Sequence, residues 1–427
     1  MTGHIENKIW SEKDERCHDD SVMEWWCPEV FFTSIEDNRR WCCKSSLTEW
    51  HYKRGGPTGS LINITLFDMT NNKCYTYHSR DDSKRLLADK ERLYIKYKDC
   101  YIKGIYPVYE IFLHDENNDI ELRYVYESRS TPHWVAESVT NGWLPMGFGF
   151  YRYGYIPYGT LTGSMRFNDE RFTILGYGYY EHVWGDFSYR NPLEQISRLK
   201  SSIQTYAKLF RWWKSSNSIC IPSSIVLSTD NNPFGYDWLW AVFDNKWSIF
   251  YGNILFWLMD GPAAGILILT KDGKKYTEYA NIRFKYKKMR KARGYDFYYP
   301  QEIELKAYKD KEELFLNASM STEPREFINR LNVVKYWKYF AICEAPGIIK
   351  GYYHNGSEEV KLNGACKIEP QRQISILGHN MLRLDITKPP KGLGVSKEFE
   401  SHLLKKHVKV NLRLLPKPGF NWSFRRL

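Results

Sequence analysis

The chain has 427 residues, enough for two or three domains with sizeable cores, and carries 61 Lys and Arg against 50 Asp and Glu. The net charge of +11 fits an anionic partner, but the basic residues are scattered and no nucleic-acid motif is present, so we expect no nucleic acid partner. The 16 Trp, 32 Tyr and 22 Phe predict a folded, β-rich protein that can line a wide apolar cavity.

The cysteines and the apolar runs indicate the environment of the protein. The nine cysteines include no Cys-x-x-Cys spacing, and Cys42 and Cys43 are adjacent, which is a poor spacing for a metal site and favours reduced thiols. Residues 1–15 are polar, unlike a signal peptide, and the longest apolar runs, 254–259 and 263–269, are far shorter than a membrane span. We therefore expect a cytoplasmic protein that contacts membranes at most peripherally, with no cofactor and no metal.

In the first half of the chain, short segments with β character alternate with turn-like breaks. The earliest contains Glu24, Trp25 and Trp26, a strand whose alternate residues would point into and out of a barrel. Further strands are predicted at 40–47, 60–68, 92–97, 108–114, 120–126 and 161–167. Because these segments follow one another without helices, they favour a sandwich or a barrel.

The candidate site lies in the stretch Gly-Tyr-Gly-Tyr-Tyr-Glu-His-Val-Trp-Gly-Asp-Phe that follows. On an extended chain, Tyr180, His182 and Trp184 share one face, with Glu181 and Asp186 off that face or at the strand end. Histidine can move a proton near neutral pH with a carboxylate as partner, and Trp and Tyr can form an apolar wall. We interpret the stretch as an acid/base site in an apolar pocket. The alternative is a hydrogen-bonded core histidine at a strand end.

One helix is predicted at 192–214. Asn191 is its N-cap, Pro192 suits the first helical position, and Glu194 completes a spacing like that of a capping box. The residues expected on one apolar face are Ile196, Leu199, Ile203, Tyr206, Phe210 and Trp213, with Lys200, Lys208 and Arg211 beside or across from them. Such a helix either packs on the body of the protein or, as a basic amphipathic helix, contacts an anionic membrane or covers a pocket.

Beyond the helix, β character resumes. Strands are predicted at 237–243, 247–258, 265–270, 282–287, 302–307, 313–316, 336–344, 347–353, 360–369, 381–386 and 407–415. The chain is thus divided into an N-terminal β body, 1–190, a helix and linker, 191–231, and a C-terminal β body, 232–427.

Three landmarks resemble the hydroxyneurosporene synthase (carotenoid hydratase) and kievitone hydratase-like superfamily, which includes fungal decalin-forming Diels–Alderases. Residues 24–26 are similar to its Glu-Trp-Trp strand. Residues 178–185 are similar to its Gly-x-x-Asp-His-x-Trp-Gly signature, with Glu181 in place of the usual Asp. Residues 339–344 and 364–369 resemble its late Glu-Gly … Gly-x-x-x-x-Glu pattern. Together these landmarks span nearly the whole chain.

The resemblance implies two lipocalin-like (calycin) antiparallel β-barrels in tandem, with the amphipathic helix inserted and one shared pocket for a small hydrophobic ligand. The catalytic residues it indicates are His182, Glu181, Trp184 and Tyr251. The substrate-binding residues are Trp25, Trp26, Glu24, Tyr180, Asp186, Trp238, Trp240 and Asn253.

One departure from the family pattern affects the chemistry. Asn253 stands at the position of the family's acid, and an amide cannot donate a proton to an alkene. Either Glu181, Asp186 or Asp260 takes that role, or the hydration chemistry is absent.

Two classes of function follow from this pattern. In the first, the protein is an enzyme that hydrates, cyclises or isomerises an isoprenoid or polyene: an acid protonates a double bond and the aromatic wall stabilises the cation. A pericyclase variant needs only a shaped pocket with one or two hydrogen-bond donors. In the second, the protein is a non-catalytic carrier of a lipid or isoprenoid, which meets the membrane through its basic face.

Overall fold

In the computed structural model, the chain is folded mainly as antiparallel β-sheet. The residues described are 10–18, 20–51, 58–146, 149–187, 196–216, 224–228, 234–256, 262–295, 297–330, 337–375, 380–387, 393–401, 406–415 and 418–426. Within them, the strands form two large curled sheets and a smaller one, and the long helix is α3 (Leu199–Ser215). Two helices of four residues are α1 (Glu12–Glu15) and α2 (Glu137–Thr140). This architecture confirms the predicted all-β fold class with one inserted helix.

The first large sheet is formed by strands between residues 23 and 186. They are β1 (Met23–Ser34), β2 (Arg39–His51), β3 (Thr58–Asp68), β4 (Lys73–Asp81), β5 (Leu87–Ala88), β6 (Leu93–Tyr97), β7 (Cys100–Ile105), β8 (Val108–Asp115), β9 (Ile120–Ser128), β10 (His133–Trp134), β11 (Trp143–Met146), β12 (Gly149–Phe167) and β13 (Glu170–Asp186). Their order is β4-β3-β2-β1-β13-β12-β9-β8-β7-β6-β5, with β10 and β11 paired to β12. The sheet curls until its ends approach, and the hydroxyls of Ser79 on β4 and Tyr97 on β6 lie 3.1 Å apart.

Alternation along β13 separates its side chains between the two sides of this sheet. Tyr180 and Trp184 belong to the core that the curled sheet encloses, and the His182 ring lies 4.7 Å from that of Trp184. Tyr179 and Val183 belong to a different cluster on the outer side. The prediction that Tyr180, His182 and Trp184 share one face is therefore confirmed.

The second large sheet repeats this construction. Its strands are β15 (Phe234–Phe243), β16 (Ser248–Phe256), β17 (Pro262–Lys271), β18 (Lys275–Tyr279), β19 (Asn281–Lys291), β20 (Tyr298–Lys309), β21 (Glu312–Met320), β22 (Arg325–Arg330), β23 (Trp337–His354) and β24 (Glu359–Ser375). Their order is β18-β17-β16-β15-β24-β23-β21-β20-β19, with β22 paired to β23. The curled sheet encloses a second core that includes Leu239, Tyr251 and Ile368.

The smaller sheet contains the last strands of the chain. It is formed by β14 (Ser224–Ser228), β25 (Asn380–Thr387), β26 (Leu393–Ser401), β27 (Lys406–Leu415) and β28 (Gly419–Arg426), in that order. β14 falls within the stretch predicted as helix and linker, 191–231, and pairs with β25. The predicted closing strand is found as β27, but β28 follows it and exposes the side chains of Phe420, Trp422 and Phe424.

The two large sheets pack through their outer sides. The cluster between them includes Phe31 and Tyr179 from the first sheet and Trp240 and Phe250 from the second. The Trp240 ring stacks 5.6 Å from that of Phe31, and its Nε1 donates a hydrogen bond to the backbone oxygen of Pro157 at 2.9 Å. Aromatic residues therefore fill a third core, which belongs to neither curled sheet alone.

Helix α3 packs against α2, β11 and β12, at the edge of this third core. It begins at Leu199 after a 3₁₀ turn at Ile196–Arg198, and the predicted capping residues at 191–194 lie outside the described part of the chain. Its buried residues are Ser202, Leu209 and Trp213. The predicted apolar face was therefore wrong in part: Ile203 is 55% exposed and Phe210 is 40% exposed, because the packed face is rotated toward Ser202 and Leu209.

Two further observations concern the described residues. None of their helices combines the length and the hydropathy needed to cross a membrane. No disulfide joins the eight cysteines among them, and burial raises the pKa of the Cys42 and Cys366 thiols.

Candidate active site

A pocket lies between the outer sides of the two large sheets. It has an open volume of about 760 Å³, part of which is continuous with solvent. Apolar and aromatic side chains form most of its wall, and they include Trp25, Val135, Leu144, Met146, Tyr151, Tyr153, Trp213, Tyr236, Trp238, Phe250 and Ile266. Its ionisable and amide side chains are Glu29, Lys44, Glu181, Asn253 and Glu369. A mainly apolar cleft with a few polar groups is typical of a small-molecule site.

Glu181 projects from β13 into this pocket. Its side chain is 8% exposed and accepts hydrogen bonds from Trp25 Nε1 at 2.9 Å, from Tyr179 OH at 2.7 Å and from Tyr153 OH. Burial raises the pKa of Glu181, and this effect outweighs the tyrosine hydrogen bonds and the nearby Lys44 ammonium, which lower it. A carboxyl group with a raised pKa can hold a proton and deliver it to a ligand.

The groups around Glu181 come from both sheets. Trp238 on β15 donates from Nε1 to Tyr153 OH at 3.1 Å, and the hydroxyls of Tyr153 and Tyr179 lie 2.9 Å apart. The Trp238 ring meets that of Tyr179 edge to face at 5.6 Å. The position of the Glu181 carboxyl is therefore fixed by the contact between the two sheets.

A second polar group in the pocket centres on Lys44 of β2. Its ammonium forms an ion pair with Glu369 of β24, which also accepts a hydrogen bond from Tyr236 OH at 3.0 Å. Burial alone would lower the pKa of Lys44, but the carboxylates of Glu344 and Glu29 outweigh it and raise that pKa. Lys44 is therefore an ammonium at neutral pH and not a nucleophilic amine.

Glu344 joins this group to the buried residues behind it. It accepts hydrogen bonds from Lys367 Nζ at 2.7 Å, Arg325 Nη1 at 2.9 Å and Thr65 Oγ1 at 3.0 Å. Burial would raise the pKa of Glu344, but the Lys367, Lys44 and Arg325 cations prevail and hold it well below its usual range. This charged network links strands of both large sheets.

Asn253, at the suspected acid position, is a well-oriented amide. Its Oδ1 accepts from the backbone N–H of Asp237 at 2.7 Å, and its Nδ2 donates to Asp237 Oδ2 at 2.8 Å and to Tyr251 OH at 3.1 Å. Asp237 is in turn paired with Arg372 at 2.8 Å. Asn253 therefore reaches the pocket wall as a fixed dipole and not as an acid.

His182 lies on the opposite side of β13, inside the first sheet. It is fully buried, its Nδ1 is 2.7 Å from the backbone oxygen of Asp14, and its Nε2 is 2.8 Å from Glu24 Oε1. The ring stacks 4.8 Å from that of Trp26. The carboxylate beside His182 is that of Glu24 and not that of the sequence neighbours Glu181 or Asp186, and the imidazole lines neither the pocket nor the groove described below.

Glu24 connects His182 to a surface groove. It accepts from His18 Nδ1 at 2.7 Å, and the His18 ring stacks on Trp184 at 4.0 Å. Burial would raise the pKa of Glu24, but hydrogen bonds from His18 and His182 hold it at about 2. His18 and Trp184 line the groove together with Asp186, which forms an ion pair with Arg198 at 2.6 Å.

The donor atoms of His18, Glu24 and His182 lie within 4.8 Å of one another, a set of ligand types that can bind a metal. The nitrogen–oxygen contacts of 2.7 and 2.8 Å in this group are hydrogen-bond lengths. Both ring nitrogens of His182 are likewise at hydrogen-bond distance from oxygen atoms, those of the Asp14 backbone and of Glu24. The geometry therefore fits shared protons better than an ion.

The structure divides the sequence-predicted residues among five places. The pocket brings together Glu181, Trp25, Trp238 and Asn253. The core of the first sheet contains Trp26, Tyr180, Glu24 and His182, while Trp184 and Asp186 reach the groove. Tyr251 lies in the core of the second sheet, and Trp240 lies between the sheets. Asp260, a suggested substitute acid, is outside the described residues.

Sequence reasoning missed much of the polar side of the pocket, including Glu29, Lys44 and Glu369. Glu29 is four residues after Trp25 on β1, so strand alternation places both on the same face. This pattern, a charged residue on the same strand face as a tryptophan, could have identified Glu29 as a pocket residue. Lys44 carries no comparable signal. Glu369 ends the third landmark, but nothing in the sequence pairs it with Lys44, because the two residues lie 325 positions apart.

Several solved structures share this fold. An AttH-like protein from Nitrosomonas europaea matches with a TM-score of 0.59 and 13% identity, covering 86% of this chain and 98% of that one. Kievitone hydratase from Nectria haematococca matches with a TM-score of 0.54 and 14% identity, covering 84% and 92%. CghA with Sch210972 matches at a TM-score of 0.45 and 9% identity, covering 83% and 89%, a likeness too low to carry an argument.

The sequence comparisons gave no match, unlike the structural comparisons. No protein-family model matches the chain, and no curated protein is significantly similar to it in sequence. The chain therefore shares the fold of the AttH-like protein and kievitone hydratase, as the three sequence landmarks predicted.

Proposed function

We propose that the protein is an enzyme that binds a hydrophobic, unsaturated small molecule between the two sheets and protonates it from Glu181. The observation that carries this proposal is a buried carboxyl group with a raised pKa, in a pocket whose wall is mainly aromatic and aliphatic. An isoprenoid or polyene fits that wall, because it offers double bonds to protonate and hydrocarbon surface to bury.

The chemistry begins with transfer of the Glu181 proton to one carbon of a double bond. The neighbouring carbon becomes a cation, and the faces of Trp25, Trp238 and Phe250 stabilise it. Water then adds, an internal nucleophile closes a ring, or an adjacent C–H gives up its proton. In each case one proton returns to the Glu181 carboxylate, so the acid is regenerated. Hydration, the reaction that names kievitone hydratase, is one of these outcomes.

Tyr153 and Tyr179 assist the release of the proton. Their hydroxyls contact Glu181, and Trp238 in turn donates to Tyr153. These donors stabilise the carboxylate after it has released its proton. Asn253 is not the acid, since an amide has no proton to transfer, and both hydrogens of its Nδ2 are engaged by Asp237 and Tyr251.

A second candidate, a non-catalytic carrier, is favoured by the same hydrogen bonds. Three donors, from Trp25, Tyr153 and Tyr179, stabilise an ionised Glu181, and an ionised Glu181 binds a ligand without protonating it. We also propose that the protein, whether it is a carrier or an enzyme, contacts a membrane.

The two functions are separated by the fate of the ligand. Organic extracts of the purified protein, analysed by mass spectrometry, identify an apolar molecule that fills the pocket. That molecule and its unsaturated analogues are then incubated with wild-type protein and with Glu181→Gln. An enzyme gives a product of altered mass or retention with wild type only, whereas a carrier returns the ligand unchanged from both.

The control for Glu181→Gln is the same Glu-to-Gln change at a position outside the pocket. Glu127 is an exposed glutamate paired with Arg129, and Glu127→Gln should convert the ligand as wild type does. Equal turnover by Glu181→Gln and wild type would exclude Glu181 as the acid.

A further inference from the structure

The carboxylates of the charged network differ in the number of hydrogen bonds that they accept. Glu344 accepts from Lys367, Arg325 and Thr65, and Glu369 accepts from Lys44 and Tyr236. Each of these two side chains is therefore satisfied within the protein, as buried charged groups usually are.

Glu29 is different. It is 2% exposed, and its Oε1 lies 3.6 Å from both Lys44 Nζ and Lys367 Nζ, which is longer than a hydrogen bond. Its Oε2 is buried and has no hydrogen-bond partner among the described residues. Leaving a buried carboxylate oxygen without a donor is unfavourable, so a donor from outside the protein would be held there.

Glu29 also lines the pocket, beside Lys44 and Glu369. A ligand in the pocket can therefore reach its side chain. The charged network reaches the pocket from β1, β2 and β24, whereas the aliphatic residues Leu144 and Met146 come from β11. A bound molecule thus meets charged groups as well as apolar ones.

We propose that the ligand of this pocket is a neutral, hydroxyl-bearing unsaturated lipid, whose O–H donates a hydrogen bond to Glu29. This inference deepens the proposed function, because it names the class of molecule bound at the same site.

The side chains that line the pocket disfavour an acidic head group. Of the lining residues described, Glu29, Glu181 and Glu369 are carboxyl groups and Lys44 is the cation. The Lys44 ammonium is already engaged by Glu369 and lies near Glu29 and Glu344. A carboxylate or phosphate on the ligand would meet more negative than positive charge, whereas an alcohol supplies the missing donor.

The experiment compares three probes that share one hydrocarbon chain: farnesol, its methyl ether and farnesoic acid. Because Trp25 and Trp238 line the pocket, quenching of tryptophan fluorescence measures binding. At pH 8 we expect farnesol to bind wild type about tenfold or more tightly than the ether, the worth of a hydrogen bond to a charged acceptor. The ionised acid should bind more weakly than the alcohol. Geraniol and geranylgeraniol, each with its ether, repeat the comparison at other chain lengths.

Glu29→Gln tests the acceptor itself, with Glu127→Gln as the matched control. The uncharged amide should reduce the preference for alcohol over ether to about threefold or less, while Glu127→Gln keeps it. Circular dichroism shows whether Glu29→Gln is folded; if it is not, the wild-type ratio decides alone. Equal affinity for alcohol and ether overturns this inference and leaves the acid role of Glu181, tested by turnover, intact. Binding of none of the probes at any chain length overturns the inference together with the pocket on which the proposed function depends.

Discussion

Glu181 is the residue on which the proposed chemistry depends, and its local environment defines a pH test. A general acid works in its protonated form, which is present below its pKa. Since burial raises the pKa of Glu181 in the folded protein, turnover should be retained at low pH and fall as pH rises through that raised value. Glu181→Gln should lower turnover by about 10²–10⁴-fold and remove this dependence. Profiles of kcat against pH for both proteins check the expectation, and an activity that rises with pH would contradict it.

His182 has both ring nitrogens engaged inside the first sheet, so we expect its contribution to be structural. His182→Ala removes the contacts with Glu24 and with the Asp14 backbone and should lower the free energy of unfolding by about 1–3 kcal/mol. Turnover per folded molecule should change little. Chemical denaturation and activity corrected for the folded fraction measure the two quantities. Complete loss of turnover with unchanged stability would instead make His182 a site residue.

Glu24 gives the first sheet a predictable response to acid. Its pKa is about 2 in the folded protein against 4.5 for an ordinary glutamate. A lowered carboxyl pKa contributes stability above pH 4.5, and that contribution is lost as pH falls from 4.5 toward 2. The loss should approach about 3 kcal/mol. Glu24→Gln should be less stable at neutral pH and show a smaller loss over this range in denaturant titrations; an identical loss would assign it to other carboxyls.

At the scale of elements, α3 combines the pocket wall with an exposed basic surface. Trp213 lines the pocket and donates from Nε1 to the backbone oxygen of Gly265 at 3.1 Å. On its outer side, Ile203 and Phe210 are exposed, and Lys200 and Lys214 lie within one helical turn of them. A helix with apolar and basic residues facing outward suits contact with an anionic bilayer.

We therefore expect α3 to contribute to membrane contact. Changing Lys200, Lys208 and Arg211 to Glu should weaken sedimentation with anionic liposomes, since each basic residue near such a surface contributes about 1 kcal/mol. Neutral liposomes are the control, and binding to them should be weak for both proteins. Unchanged binding of the triple variant to anionic liposomes would leave α3 as a packing helix.

At the scale of the whole molecule, the two curled sheets depend on the aromatic layer between them. Trp240 is fully buried in this layer, stacks on Phe31 and donates to the Pro157 backbone. Trp240→Ala should lower stability by about 3–5 kcal/mol and separate the unfolding of the two sheets into two transitions in calorimetry. The exposed Trp422 is the matched control, and Trp422→Ala should leave the transition unchanged. A single unshifted transition in Trp240→Ala would show that the sheets fold independently of this contact.

Much of the fold could be predicted because strands and turns are local features. Alternation around Glu24, Trp25 and Trp26 and along the stretch 178–185 indicated barrel strands, and both are found, paired with each other as β1 and β13. The helix was also predictable from its apolar period. Its rotation was not, because which face is buried depends on α2, β11 and β12, which are distant in the sequence.

The location of the candidate site could be found only from the tertiary structure, and strand β13 shows the physical reason. Alternation assigns Glu181 and His182 to opposite faces, but it cannot say which face meets another sheet. Only the packing of the second sheet against the outer side makes Glu181 a pocket residue and leaves His182 in a core. The same packing brings Lys44 to Glu369 and leaves Glu29 without a donor. The sequence by itself therefore determined the strands and the faces their residues share, and the packing of two distant sheets decided which of those faces forms the site.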